Sequence, residues 1–424
     1  MTQRRDFIKQ GSLALLGGMN WPADWEVPPP AIQDNGPIRP DNDAVWEKFK
    51  QQFFLSPNFI FLNNGTMGPS PFQVFDTVRK TMIDIDQNLS YGGYESACGK
   101  IAEFVGANEN EIALTHNVTE GINIVAWGLP LKSGDEVIMT TQEHVGCAFP
   151  WLNRQKLHGI TIRTFTPAST AAETLNRVDA LTNKKTRVIA VPHIPCTTGQ
   201  ILPVKEIVKL GKSKKIFVVI DGAHGPGMIP LNLHDLGCDA YASCCHKWML
   251  GPKGTGFLYV RKDFQDTLQA YFVGAGGDNA KWNMATDPVQ MGEYAQSAHR
   301  YFGGTQNTAL YKGVDAAIDF INEIGIENIH KRICLLGELV QKRLMSLGDK
   351  IEMITPLEEA SRGAVIAFRV KGTNYESIYK LAADNNIRIR MVPENGMNCL
   401  RVSTHIYNHR RDIDKFIEVL KTVI

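Results

Sequence analysis

The chain has almost no net charge. Its 45 Lys and Arg against 44 Asp and Glu leave +1 over 424 residues. Nothing in that balance points to nucleic-acid or acidic-polymer binding. Paired cysteines are missing too. Eight cysteines, at 98, 147, 196, 238, 244, 245, 334 and 399, form no C-x-x-C and no His-rich spacing, so no metal site is expected. The neighbours Cys244 and Cys245 read as small buried residues rather than as a disulfide framework. The apolar stretch at 11–19, GSLALLGGM, is too short to cross a bilayer, and no stable membrane insertion is expected. Residues 251–255, GPKGT, lack the spacing of a nucleotide-binding phosphate loop.

What is present begins at the N-terminus. TQRRDFIK at 2–9, followed by the short apolar core, has the form of a targeting segment and resembles the twin-arginine export signal of bacteria. Export of the folded protein to the periplasm is the expectation. No A-x-A cleavage site follows, and a basic helix kept on a cytoplasmic protein is the alternative. The proline-rich run through residue 40 reads as a linker. A chain of 424 residues can bury a large core and divide into lobes.

The chain is organised around residues 216–260. An apolar, β-branched run (Ile216, Val218, Val219, Ile220) ends on Asp221, and a second run, 239–243, leads to His246 and Lys247. Both read as buried strands. The 26 residues from Asp221 to Lys247 leave room for one crossover between parallel strands. Two strand ends then deliver a carboxylate and an amine to the crevice at the carboxyl edge of an open α/β sheet. A lysine in a partly desolvated pocket can form a Schiff base with an aldehyde. A carboxylate on a pyridinium nitrogen is what pyridoxal phosphate needs to act as an electron sink. Lys253, in the turn 251–254, is the rival lysine.

DGAH at 221–224 followed by CHKWMLGPKGTGFLYV at 245–260 resembles the class V aminotransferase-fold group of pyridoxal-phosphate enzymes. That group includes isopenicillin N epimerases, cysteine desulfurases and kynureninases. The resemblance runs over residues 63–408. It implies that Lys247 is the Schiff-base lysine, Asp221 pairs with the pyridine nitrogen, and His224 faces the ring's phenolic oxygen. It further implies that His246 is a phosphate donor and that His144 stacks on the ring. A strand at 112–115 runs through a polar turn into a helix N-terminus. Free N–H groups and the helix dipole make such a place a natural anion site, and the resemblance assigns Val118 and Thr119 to the phosphate. Thr198, in the turn after the strand 187–191, is expected as a further cofactor contact. Arg401 is the expected anchor of the substrate carboxylate, a job suited to a bidentate guanidinium. Asn64 lies in a segment expected at the mouth of the site. Thr305, in GGTQN at 303–307, is expected to reach the cofactor phosphate of a partner subunit, which implies a homodimer.

The expected fold is α/β: the pyridoxal-phosphate-dependent transferase fold of type I, with a mostly parallel sheet in a large lobe and a small C-terminal α/β lobe. The expected divisions are a signal and linker at 1–40, an N-terminal segment at 41–62, a large domain at 63–307 and a small domain at 308–424. The HKW context and the run TGQILPV at 198–204 look most like the isopenicillin N epimerase-like branch. The expected function is therefore chemistry at Cα of an amino acid, of the epimerase or aminotransferase type. A cysteine desulfurase or other Cβ/Cγ lyase is the first alternative. It needs a mobile cysteine, for which Cys147 and Cys399 are candidates. Cys196 stands where desulfurases usually carry asparagine, which counts against it. A binding protein that keeps the fold without catalysis is the alternative from another class.

Overall fold

A computed structural model of the chain describes residues 38–277 and 282–424. The twin-arginine-like segment lies outside the described residues. The first strand, β1 (Ile60–Phe61), is short. Seven more follow: β2 (Ile112–Thr115), β3 (Glu136–Thr140), β4 (Thr161–Phe165), β5 (Thr186–Pro192), β6 (Phe217–Asp221), β7 (Ala240–Cys244) and β8 (Gly256–Val260). They form one sheet in the order β2-β8-β7-β6-β5-β3-β4. Its pairs from β4 through β7 are parallel, whereas β8 runs antiparallel to both β7 and β2. Central strands such as β3 and β7 are buried along their whole length, as expected where helices cover both faces. At one edge, β4 keeps Thr161, Arg163 and Thr164 exposed, and polar residues protect an open edge from pairing with another chain.

Every strand of this sheet except β8 points the same way, so their carboxyl ends share one edge. Asp221 is the last residue of β6, and the chain leaving β2, β3, β5 and β7 leads to Val118, His144, Thr198 and Lys247 respectively. The connection from β6 to β7 holds only the helical turn Leu233–Leu236.

A second, antiparallel sheet is built from β9 (Ile351–Met353), β10 (Val365–Val370), β12 (Arg390–Val392) and β13 (Cys399–Ser403), in the order β12-β13-β10-β9. Between them in sequence, β11 (Ile387–Arg388) pairs in parallel with β1. The segment before residue 63 is thereby tied to the C-terminal part of the chain. Behind this sheet, the helices Ile326–Met345 and Arg410–Lys421 pack Leu336, Val340, Phe416 and Leu420 against Ile366, Phe368 and Leu400. Burying side chains of this kind contributes about 1.5–3 kcal/mol each.

The helix Thr308–Ile324 is the expected one. Its Tyr311, Val314, Ile318 and Ile321 lie on one face at helical spacing and are buried, and Asn307 caps it by accepting the Leu310 N–H. Two boundaries differ from the periodicity. The first helix stops at Lys50 instead of 54, because Phe53 leaves it to form a bridge with Pro71. The last begins at Arg410 instead of 412, because His409 and Asp412 form a capping box that starts the helix earlier.

Candidate functional site

β6 ends on Asp221, whose Oδ1 accepts the Ala223 N–H at 2.9 Å. The turn after β7 carries His246 and Lys247, and the 63–69 turn leans directly on it, with Gly68 N–H donating to the His246 carbonyl at 2.8 Å. A Cβ on Gly68 would lie 2.1 Å from the Lys247 carbonyl oxygen, and one on Gly222 would lie 1.8 Å from the Tyr241 ring. Both glycines are required by close approach.

These turns surround a cleft of about 230 Å³. Val118, Thr119, His144, Asp221, His246, Lys247 and Arg401 all line it, so seven of the expected residues meet in one place. Asn117, Val118 and Thr119 bring the N-terminal end of the helix Val118–Gly128 to it. Asn117 caps it by accepting only the Glu120 N–H. His246 presents a buried Nδ1 there, without a partner among the described residues. Its ring is held neutral, with its pKa pushed down to about 4 by burial and by neighbouring Lys247. An anion at this end would find N–H donors and the positive end of a helix dipole.

His144 also lines the cleft and caps the helix Val145–His158. Its Nδ1 accepts the Gly146 N–H at 3.1 Å, which fixes the ring. Burial and then the nearby Lys247 lower its pKa, so it stays uncharged. Cys147 also lines the cleft, and its thiol bonds to the Asp221 carboxylate; burial pushes its pKa well up.

Arg401 lines the same cleft and is 1% exposed. It donates to the Cys196 carbonyl at 2.8 Å, to Asn63 Oδ1 at 3.0 Å and to Thr66 Oγ1 at 2.8 Å, while its Nε has no partner among the described residues. Burial, then neighbouring Arg390, pull its pKa down to about 9. All three acceptors are neutral. A buried cation without a counter-ion is costly, and a carboxylate entering the cleft would supply the missing charge.

Four expected residues do not line the cleft. His224 sits behind the lysine, with Nε2 3.5 Å from Lys247 Nζ. Asn64 is buried and accepts the Tyr407 hydroxyl at 2.9 Å. Thr198 donates its hydroxyl to Gln142 Oε1 at 3.0 Å. Thr305 is exposed, in a shallow pocket with Met82, Tyr91 and Gln306. Lys253 also lies elsewhere, 3.1 Å from Ser70 Oγ, with its pKa pushed down to about 8 by burial.

Sequence reasoning missed Arg390, which lines the cleft and stands directly opposite Arg401 between β12 and β13. It is ion-paired with Glu394. It also missed Glu143, a buried acid that accepts the Thr140 N–H and hydroxyl and whose pKa burial raises to about 8.

A family model described as aminotransferase class-V matches residues 78–416. Isopenicillin N epimerase of Amycolatopsis lactamdurans is 29% identical over 392 residues, which cover 89% of this chain and 98% of that protein. The cysteine desulfurase of Haloferax volcanii is 27% identical, over 85% of this chain and 88% of that protein. Among solved structures, the complex of the cystine C-S lyase C-DES with its product cysteine persulfide is similar at a TM-score of 0.78 and 25% identity. That match covers 86% of this chain and 97% of that one. A C-DES mutant with glycine covalently linked to its PLP cofactor superposes at a TM-score of 0.81 and 24% identity, over 88% of this chain and 98% of that one. The latter likeness is one of fold.

Proposed function

This chain belongs to the class-V aminotransferase family of pyridoxal-phosphate enzymes, and on that premise we propose that it acts at Cα of an amino acid, as an epimerase or aminotransferase. The observation that carries this reading is Arg401: a buried guanidinium, bonded only to neutral groups, in the same cleft as Lys247 and Asp221. It matches the carboxylate of an amino acid whose amine and Cα lie toward Lys247.

The residues fit the cofactor. Val118 and Thr119 at the helix N-terminus, with the orphaned His246 Nδ1, would hold the phosphate. Asp221 would keep the pyridine nitrogen protonated, and His144 would lie against the ring. When bound, pyridoxal phosphate supplies an aldehyde carbon for an amine and a sink for the electron pair left at Cα. Lys247 Nζ would be the amine that holds that carbon and, when free beside the substrate, would take and return the Cα proton. His144 and His246 stay neutral, so neither adds positive charge to compete with Arg401 for the carboxylate.

The desulfurase reading draws no support from the cysteines. Cys147 and Cys196 line the cleft but are buried, and burial raises both thiol pKa values. Cys399 is buried in β13, its thiol pushed up to about 11. A nucleophilic thiol needs the thiolate and some freedom to move. The intact Lys247 and Asp221 weigh against a binding protein that merely keeps the fold. Two further parts of the proposal rest on sequence: export to the periplasm by the N-terminal segment, and a homodimer in which Thr305 serves the partner's cofactor. Cell fractionation and sedimentation test them.

The reaction class is tested by incubating the holoenzyme with single amino acids in deuterated water and following the α-proton by NMR. Loss of that proton, with either inversion or keto-acid formation, is the expected result. Release of sulfide from cysteine with no α-exchange in other amino acids would overturn the proposal in favour of the lyase.

A further inference from the structure

Trp248 follows the lysine in the chain and is fully buried. Its indole Nε1 lies 3.1 Å from His224 Nδ1. An indole N–H donates and has no lone pair to offer. His224 Nδ1 must therefore be the acceptor, and the proton of the neutral ring sits on Nε2. That nitrogen faces Lys247 Nζ at 3.5 Å.

The indole is itself held from behind. His405 donates from Nε2 to the Trp248 carbonyl, at 3.3 Å, and its ring lies 5.6 Å from the indole at 31°. Tyr407 stacks on His405 in turn, at 5.7 Å and 16°. Burial first, then the charges of Lys247, Arg401 and Arg390 and neighbouring His144, keep a proton off the second nitrogen of His224.

We propose that Trp248 is a positioning residue that locks His224 as its Nε2–H tautomer, so that His224 can only donate a hydrogen bond into the site. The donor lies 3.5 Å from Lys247 Nζ and serves whatever acceptor is bound in front of it. With the Nδ1 lone pair engaged by the indole, His224 has none free to take the Cα proton, which leaves Lys247 Nζ as the proton carrier. This rests on Lys247 being the reactive lysine, as proposed above.

The test begins on the cofactor-free protein, with ¹⁵N-labelled histidine and two-bond correlations that read the tautomer directly. His224 is expected as Nε2–H, without change from about pH 8 to about pH 5. In Trp248→Phe it is expected as a mixture of tautomers that takes up a proton within that range. In the holoprotein, Trp248→Phe should retain the cofactor about tenfold less tightly, the worth of one hydrogen bond, and alter its absorbance. His224→Gln, whose amide still donates, should keep the wild-type spectrum, and His224→Leu should not. An Nδ1–H tautomer in the wild-type protein overturns the proposal even if Trp248→Phe does not fold. So does a Trp248→Phe protein that melts earlier with tautomer and spectrum unchanged. If borohydride fixes the cofactor on a different lysine, the functional reading falls while the tautomer result still stands, so the two failures are distinguishable.

Discussion

Replacing Arg401 with lysine isolates the carboxylate anchor. The charge stays, but the planar fork that can grip two oxygens becomes a single ammonium. Hydrogen bonds to charged groups contribute about 1.5–3 kcal/mol each. Losing one of two therefore weakens amino-acid binding by roughly 10- to 150-fold. The change also leaves some of Cys196 O, Asn63 Oδ1 and Thr66 Oγ1 short of a donor, at about 1–3 kcal/mol of stability for a buried group left unsatisfied. The cofactor should remain, because the residues expected to hold its phosphate, Val118, Thr119 and His246, are unchanged. The assay is titration of the holoprotein with amino acids, followed by cofactor absorbance, beside a melting curve. Unchanged amino-acid affinity, or loss of cofactor from a folded variant, would refute the reasoning.

Three further outcomes follow from the same geometry. Gly68→Ala, whose new Cβ would sit 2.1 Å from the Lys247 carbonyl oxygen, should displace the lysine turn, cost about 1–3 kcal/mol and lower cofactor retention measured by equilibrium dialysis. Cys147→Ser and Cys196→Ser should each keep at least about a tenth of wild-type turnover. Removal of a nucleophile would abolish it, so an inactive variant would revive the desulfurase reading. Stability should fall as the medium is acidified below pH 6.5. His193, His224 and His405 are buried with pKa values depressed below 6.5 by burial, so the unfolded chain binds protons that the native state refuses. Glu143, raised to about 8, opposes them above 4.5, where it is protonated only when folded. His246, pushed down to about 4, and His144 act in the same direction as the three, so the histidines outweigh the one carboxyl and the loss of stability continues toward pH 5. Denaturant melts at several pH values check it.

The sheet was legible because its strands are short β-branched runs buried on both faces. Ile112–Thr115 and Glu136–Thr140 begin and end where the pattern does. The reversal of β8 was not legible, since a buried run reads alike in either direction. The cleft was legible where a residue follows a strand end, as Asp221, Val118 and Lys247 do. Arg390 was hidden because its place opposite Arg401 depends on the register of β12 against β13, a long-range pairing that local periodicity does not encode. His224 and Trp248 illustrate another limit: both stand inside the most informative stretch, yet their mutual hydrogen bond depends on side-chain orientation.

The measurement closest to the central claim is borohydride reduction of the pyridoxal-phosphate-loaded protein, with peptide mapping of the modified lysine. The account predicts a blue-violet absorbance band that reduction abolishes and a label on Lys247. A label on Lys253, or no band after reconstitution with the cofactor, would contradict it.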